Sequence, residues 1–243
     1  DSDLNDDSTN AHSGTASGSA AITTSVKKFG AGSLSLNGTS QYVTYSNDAD
    51  FQFGSGDFTI EMWIYMTSNA GSDPGDRNAL IARRASDSNR SFHVGIQLDG
   101  GQQKLQFSHS TSGSGGTQTN YDTDIQLNTW THIAIVRSGS IVFAFVDGTK
   151  NSSTHSIGTD TIYVGTSDLT IGYRGESSQY FPGYIDDLRI VKGHAQYTKN
   201  FTPPTSAVGT SVSKTVNDLA VLYLPFDDDS MEDQARNHTI TKE

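Results

Sequence analysis

Two acidic runs concentrate the ligand chemistry of this chain, Asp1-Ser-Asp-Leu-Asn-Asp-Asp-Ser-Thr-Asn-Ala-His12 at one end and Asp227-Asp-Asp-Ser-Met-Glu-Asp-Gln-Ala-Arg-Asn-His238 at the other. Asp1, Asp3, Asp7 and His12 match Asp227, Asp229, Asp233 and His238 at one constant offset, with Asp6 facing Glu232 and Thr15 facing Thr241. Hard cations take clusters of carboxylate and carbonyl oxygens, so Ca²⁺ is the ion that such runs suit best. An EF-hand reading of Asp1–His12 fails, because Asp6 stands where Gly is required and His12 where a bidentate Glu is required. The echo between the ends has two readings. It is chance similarity of acidic loops, or the chain is rotated in frame relative to its folding unit.

A second group of residues suits recognition. The segment Tyr173-Arg-Gly-Glu-Ser-Ser-Gln-Tyr180 sets Arg174, Glu176 and Gln179 between two tyrosines. That mixture of donors, acceptors and aromatic rings fits a sugar or a partner surface, and it also fits an ordinary polar hairpin tip. Trp63, Tyr65 and Trp130 are further aromatic candidates, for a platform or for packing. Catalytic chemistry is poorly provided for. Glu is scarce, and Glu61 has only Thr59 and Trp63 two residues to either side, which is not the closely spaced carboxylate pair that glycoside hydrolysis uses. Seven His residues show no metal-ligand spacing, and the absence of Cys removes disulfides, thiolate sites and cysteine nucleophiles together. The expectation is a chain without enzymatic activity.

The elements that must hold these residues read as strands. In Phe58–Met66 the positions Phe58, Ile60, Met62, Ile64 and Met66 alternate with Thr59, Glu61, Trp63 and Tyr65. Similar runs are predicted at 33–36, 42–45, 80–83, 92–98, 104–109, 131–137, 141–146, 161–164, 169–172, 183–191 and 219–226. Turn signals such as Asn37-Gly38, Asp99-Gly100-Gly101 and Asp147-Gly148 separate them. About a dozen strands at this spacing predict an all-β, two-sheet antiparallel sandwich. Segments 71–76 and 110–116 are read as surface loops, and a short helix is expected near 193–197 before Pro203-Pro204. With 243 residues and a formal charge of −11, one large domain is expected and nucleic acid is an unlikely partner. No apolar run is long enough to cross a bilayer. Without an initiator Met or a leader, the sequence reads as a processed or excised piece.

Phe29-Gly-Ala-Gly-Ser-Leu-Ser-Leu-Asn-Gly-Thr-Ser-Gln-Tyr-Val43, Gly56-Asp-Phe-Thr-Ile-Glu-Met-Trp-Ile64, Trp130-Thr-His-Ile-Ala134, Phe145-Val-Asp-Gly148 and Gly183-Tyr-Ile-Asp-Asp-Leu-Arg-Ile190 resemble, in that order, the strands of laminin-G-like, concanavalin A-like jelly-roll domains. The resemblance runs over about residues 20–205 and the strand 219–226. Tyr197-Thr-Lys-Asn-Phe-Thr-Pro-Pro204 is similar to a tail frequent in phage virion and bacterial surface proteins. The resemblance implies a Ca²⁺ site between the first acidic loop and the Asp pair of the closing strand. Carried over, its ligands are Asp1 or Asp227, Asp7 or Asp233, and Asp187, completed by backbone near Asn10 and His12. The alternative is a solvated turn with Asp186 or Asp187 paired to Arg189.

Because the strand 219–226 precedes the second acidic copy and nothing precedes the first, the domain is expected over 1–226 with its first strand supplied from 219–226. Residues 227–243 then begin a repeated acidic loop. That strand folds back, or it completes a neighbouring copy of the chain by strand addition. The resulting expectation is an extracellular, cell-surface or virion domain with a structural or adhesive role, binding copies of itself and a glycan or receptor. A calcium-dependent carbohydrate-binding module is the second reading.

Overall fold

The computed structural model describes residues 4–70, 77–175, 179–207 and 220–226. The expected loop at 71–76 lies outside them. Two sheets form the molecule. One has seven strands in the spatial order β1 (Gly14–Ser17), β4 (Tyr42–Tyr45), β14 (Leu169–Ile171), β6 (Arg77–Ser86), β7 (Asn89–Asp99), β8 (Gln102–His109) and β9 (Thr117–Asn120). The other has nine. Its path is β12 (Thr149–Lys150), β11 (Ile141–Val146), β10 (Trp130–Ser138), β5 (Phe58–Met66), β15 (Pro182–Lys192), β3 (Ser33–Asn37) and β2 (Ala21–Thr23). Off that path β13 (His155–Ser156) pairs with β11, and β16 (Ala220–Leu224) pairs with β15. The all-β, two-sheet antiparallel sandwich expected from the alternation is the fold observed. Among the described residues no helix is long and apolar enough to cross a membrane.

The core lies between the sheets. From β5, Phe58, Ile60, Met62, Ile64 and Met66 point into it and meet Val94, Ile96, Leu105 and Phe107 of the facing layer. Burying a side chain of this size stabilises by about 1.5–3 kcal/mol, which is why alternation fixes the strand faces so firmly. The second face of β5 is covered as well. Segment 193–204 lies across it instead of forming the expected helix: the Thr59 hydroxyl donates to the His194 carbonyl at 3.0 Å and accepts from the Gln196 amide at 2.9 Å. Tyr197 and Phe201 stack on each other and, with Phe143 and Ala195, pack on Ala134, Val136 and Phe145. The tail Tyr197–Pro204 is therefore a strap that gives the larger sheet a second apolar layer.

Thr161–Val164 is not a strand. The Ile162 amide donates to the Gly54 carbonyl at 2.9 Å and the Tyr163 amide to the Ser110 carbonyl at 2.8 Å, so successive residues bond to different loops and no ladder forms. The short strands β1, β2, β9, β12 and β13 carry too few apolar residues to show alternation in sequence.

β15 is the best-connected strand. One edge pairs with β5 throughout, while the other is shared, with β3 against Pro182–Ile185 and β16 against Leu188–Val191. The change of partner coincides with an irregularity between Asp186 and Arg189, where Asp187 adopts φ 49. A left-handed Asp is tolerated where local hydrogen bonds hold it, and the Tyr223 hydroxyl donates to Asp187 Oδ1 at 3.0 Å.

The sheets are also joined at one edge by imidazoles. His155 of β13 and His109 of β8 lie 2.9 Å apart, nitrogen to nitrogen, and are 1% and 3% exposed. Thr119 Oγ1 lies 2.9 Å from His155 Nδ1, and Asp160 Oδ2 lies 3.3 Å from His109 Nε2. Burial, and then the neighbouring His109, push His155 down to about 4. Burial likewise lowers His109, against the pull of Asp160. A free His takes up its proton near 6.5. The unfolded chain thus binds more protons than the folded one between about pH 6.5 and 4, and stability falls as pH drops through that window. Denaturant titration at pH 7.5, 5.5 and 4.5 is expected to show this fall, and to show a smaller one in His155→Gln. Equal losses in both proteins would remove the imidazole pair as the cause.

Candidate functional site

Strand alternation and one short return of the chain assemble a tyrosine cluster at an end of the smaller sheet. In β4, Val43 and Tyr45 are buried in the core, which turns Tyr42 outward. β14 leads through Gly172, at φ 82, to Tyr173, and the chain comes back at Tyr180, which bridges Tyr173 in antiparallel fashion. The rings of Tyr173 and Tyr180 stack at 4.6 Å and 15°. Tyr42 lies 4.8 Å from Tyr173 and 6.2 Å from Tyr180, and all three are half-buried. Burial, then Tyr180 and Tyr42, raise the Tyr173 phenol above its usual value, so it stays neutral as both donor and acceptor.

The described residues on either side of this return are held by hydrogen bonds. Arg174 donates from its amide to the Gln179 carbonyl at 3.2 Å and from Nη1 to Gln179 Oε1 at 2.6 Å. The Thr170 hydroxyl donates to the Tyr173 carbonyl at 2.6 Å. Gly175, at φ 94, passes so close to β6 that a Cβ there would lie 1.8 Å from the Arg84 carbonyl oxygen. Only glycine allows this approach. Of the five expected recognition residues, Tyr173, Arg174, Gln179 and Tyr180 are brought together, and Glu176 lies outside the described residues. Tyr42 was missed by motif reading, although the alternation of Tyr42–Tyr45 places it outward. A rigid stack of phenols beside guanidinium and amide groups offers an apolar face and a polar rim, which is the composition of a small-molecule site.

The other aromatic candidates divide. Trp63 is 6% exposed, with Phe29 and His132 against its edge and Lys28 Nζ 3.8 Å from its ring. It is packing. Tyr65 remains half-buried, between Trp130 at 5.6 Å and Tyr184 at 5.8 Å.

Among the expected cation ligands, Asp1, Asp227 and Asp233 lie outside the described residues. Asp7 and Asn10 are exposed, and the Asp7 amide donates to the Tyr223 carbonyl at 2.9 Å. His12 Nε2 lies 3.1 Å from Asp50 Oδ2, and Asp187 is buried under the Tyr223 hydroxyl. Asp6, which motif reading passed over, is the acid that turns inward. Its oxygens accept from the amides of Ser8, His12 and Tyr223 and from the Ser8 hydroxyl. Protein donors thus already surround this carboxylate and tie the acidic loop to β16. His12, Asp48 and Asp50 form a group of possible metal ligands within 4.8 Å of one another among the described residues.

Glu61 has no catalytic exposure. It is 1% exposed, like Arg189, whose Nε donates to its Oε1 at 2.8 Å, while the Tyr197 hydroxyl donates to Oε2 at 2.8 Å and His132 Nε2 lies 3.3 Å away. Arg189 thus pairs with Glu61, and the Asp187 charge acts on it as well. Asp186 Oδ2 instead accepts from the amides of Lys28 and Phe29 at 2.7 and 3.1 Å. Burial works against a charged Glu61, but the His132 hydrogen bond and the Arg189 charge together hold its carboxyl down at about 2.

Comparison with known proteins agrees with the two-sheet fold. The Laminin G 3 family model, described as the concanavalin A-like lectin/glucanases superfamily, matches residues 37–195. No curated protein matches the chain. Domain 4 of AbnA, a GH43 extracellular arabinanase from Geobacillus stearothermophilus solved with arabinotriose, is similar with TM-score 0.60 and 18% identity, over 80% of this chain and 89% of that one. A botulinum neurotoxin type C structure, whose cell entry depends on two ganglioside molecules, is similar with TM-score 0.59 and 14% identity, over 79% of this chain and 46% of that one. The enzymatically active domain of bacteriophage CBA120 tailspike protein 2 follows with TM-score 0.55 and 16% identity, over 82% of this chain and 30% of that one. At these identities the likeness is one of fold, and the chain spans less than half of the toxin and tailspike chains.

Glu61→Gln leaves Arg189 charged and buried, so urea unfolding is expected to show a loss of about 3–5 kcal/mol. The carboxylate's contribution is complete above about pH 4.5 and is lost as the medium is acidified towards about 2. A stability loss near zero would mean that the pair contributes nothing to the fold.

Proposed function

The chain belongs to the concanavalin A-like lectin/glucanases superfamily, and on that premise we propose that it is a non-catalytic glycan-binding domain whose sugar stacks on Tyr42, Tyr173 and Tyr180. The observation that carries this reading is the half-exposed phenol stack, held by a loop whose backbone is pinned at Thr170, Gln179 and Gly175. A preformed site avoids the ordering cost of binding. The apolar C–H face of a pyranose or furanose fits the rings, and the phenol hydroxyls of the half-buried tyrosines supply donors and acceptors for its hydroxyls. Fold neighbours include a domain solved with arabinotriose and a toxin dependent on gangliosides, which supports a glycan as ligand. The buried state of Glu61 supports a binding role over hydrolysis. A setting outside the cell, on a cell surface or on a virion, goes with such a ligand, and the extracellular arabinanase and the bacteriophage tailspike among the fold neighbours support it.

Calcium and self-assembly are separate proposals with their own support. For calcium the support is that Asp7 and Asp187 both bond to Tyr223, one through its backbone and one through its hydroxyl. Asp6 cannot add a ready ligand, since protein donors already use it. For assembly the support is the echo between the two acidic runs, and a head-to-tail array requires β16 to exchange the β15 edge it pairs with in its own chain for that of a neighbouring copy.

A glycan array with the whole chain is expected to give binding that Tyr173→Ala and Tyr42→Ala each weaken about tenfold, or about 1.4 kcal/mol. An array without any hit defeats the glycan reading. Saturating chelator is expected to lower the melting temperature, and an unchanged melt excludes the ion. Sedimentation at rising concentration is expected to show association, and a monomer throughout excludes the array.

A further inference from the structure

The outer face of β5 is covered in stages. Thr59 and Glu61 bond to the strap, and Trp63 lies against Lys28 and Phe29. Tyr65 comes next on that face and is half-buried, and its described ring contacts are with Trp130 and Tyr184, which are half-buried too.

Register makes these three residues a row. Tyr184 of β15 and Trp130 of β10 are the direct cross-strand partners of Tyr65, so all three side chains stand on one face of the sheet. Beyond Tyr184 the row continues to Ser35 of β3 and Ala21 of β2, whose side chains are small. The ring centroids are 5.6 and 5.8 Å apart at 61° and 67°, an edge-to-face geometry in which each ring fixes the next. Among the described residues the hydroxyls of Tyr65 and Tyr184 and the indole N–H of Trp130 make no hydrogen bond within the protein, and none of the three is buried. The row thus combines fixed apolar rings with free donors and acceptors.

Its size and shape select the occupant. A Tyr or Trp buries about 150–250 Å² in full, so three half-buried rings offer much less than the about 800 Å² per partner of a standard protein interface. The row is one side chain wide and advances by one strand, about 4.8 Å, at each ring. That step is close to the length of one sugar unit. We propose that Tyr184, Tyr65 and Trp130 form a second sugar-binding surface, on the larger sheet, which takes a linear oligosaccharide lying across the strands. Tyr180 of the first site and Tyr184 are four positions apart, at most about 14 Å along the chain. The two sites therefore sit at the same end of the sandwich, and one polysaccharide engaging both gains avidity without any new contact. This inference rests on the glycan reading and adds a second site and the linear form of its ligand.

Tryptophan fluorescence tests it directly. The chain has two Trp, of which Trp63 is packed away, and the tyrosine stack has none, so acrylamide quenching reports mainly on Trp130. Linear arabino-, xylo- and gluco-oligosaccharides and the matching monosaccharides are titrated against the whole chain. A sugar covering one ring face is expected to lower the quenching by about half, with an oligosaccharide and not with its monosaccharide. The response is expected to persist in Tyr173→Ala, which removes the first site. In that background Tyr65→Ala is expected to weaken the remaining binding about tenfold, and Tyr184→Ala, at the side of the row, serves if Tyr65→Ala does not fold. Unchanged quenching by an oligosaccharide that binds the chain, or a response lost in Tyr173→Ala, overturns the second surface and leaves the first standing. Protection of Trp130 that grows with protein concentration in the absence of sugar means that a second copy covers the row, and overturns it as well. Failure of every sugar to bind defeats both sites.

Discussion

Glu61 and Arg189 form an ion pair sealed between the larger sheet and the strap of residues 193–204, and much of the architecture hangs on it. Such a pair is held in the interior only when further hydrogen bonds complete its shell, and Tyr197 and His132 do so. Tyr197 belongs to the strap, His132 to β10, Glu61 to β5 and Arg189 to β15. One buried cluster therefore fixes three adjacent strands and the layer above them. Because β15 also carries β3 and β16 on its other edge, the position of Arg189 sets where those two strands are received.

The irregularity beside Arg189 has a consequence at the acidic loop. It turns Asp187 into the left-handed region and brings its carboxylate under Tyr223 of β16. The backbone of the same tyrosine bonds to Asp6 and Asp7. Tyr223 is thus the point where the start of the described chain, its closing strand and its last strand meet. Protein hydrogen bonds there supply donors to carboxylates that would otherwise repel one another.

The tyrosine cluster lies in the opposite sheet, away from Tyr223. The division has a physical basis. The larger sheet is buried on both faces over much of β5 and β10, so it has little surface to offer beyond the row of Trp130, Tyr65 and Tyr184. In the smaller sheet β6, β7 and β14 are buried over much of their length too, but beside their apolar residues they keep Arg83, Arg84, His93 and Thr170 at registers set by core residues such as Val43, Val94 and Phe107. A rigid ladder with a polar outer face can hold guanidinium groups and phenols in fixed relation, which a free loop cannot.

The sequence by itself determined the sheet class, the long strands and their inward faces, because period-two alternation and β-propensity are local properties that burial reinforces. It also marked the segment 173–180, through its unusual mixture of aromatic and polar residues. It did not reveal the strap, since the apolar spacing of Tyr197 and Phe201 acquires meaning only over the outer face of β5. Nor did it reveal which carboxylate Arg189 would meet: Glu61 is 128 positions away, and nothing short-range selects it over the neighbouring Asp186 and Asp187. Asp6 and Asp7 are likewise indistinguishable in the chain, and only the path of β16 decides which one turns inward. Tyr42 joins Tyr173, and Tyr65 meets Trp130 and Tyr184, because sheet order places distant segments side by side. Pairing between strands far apart in sequence depends on the closure of the whole sandwich, and the tertiary structure alone decided it.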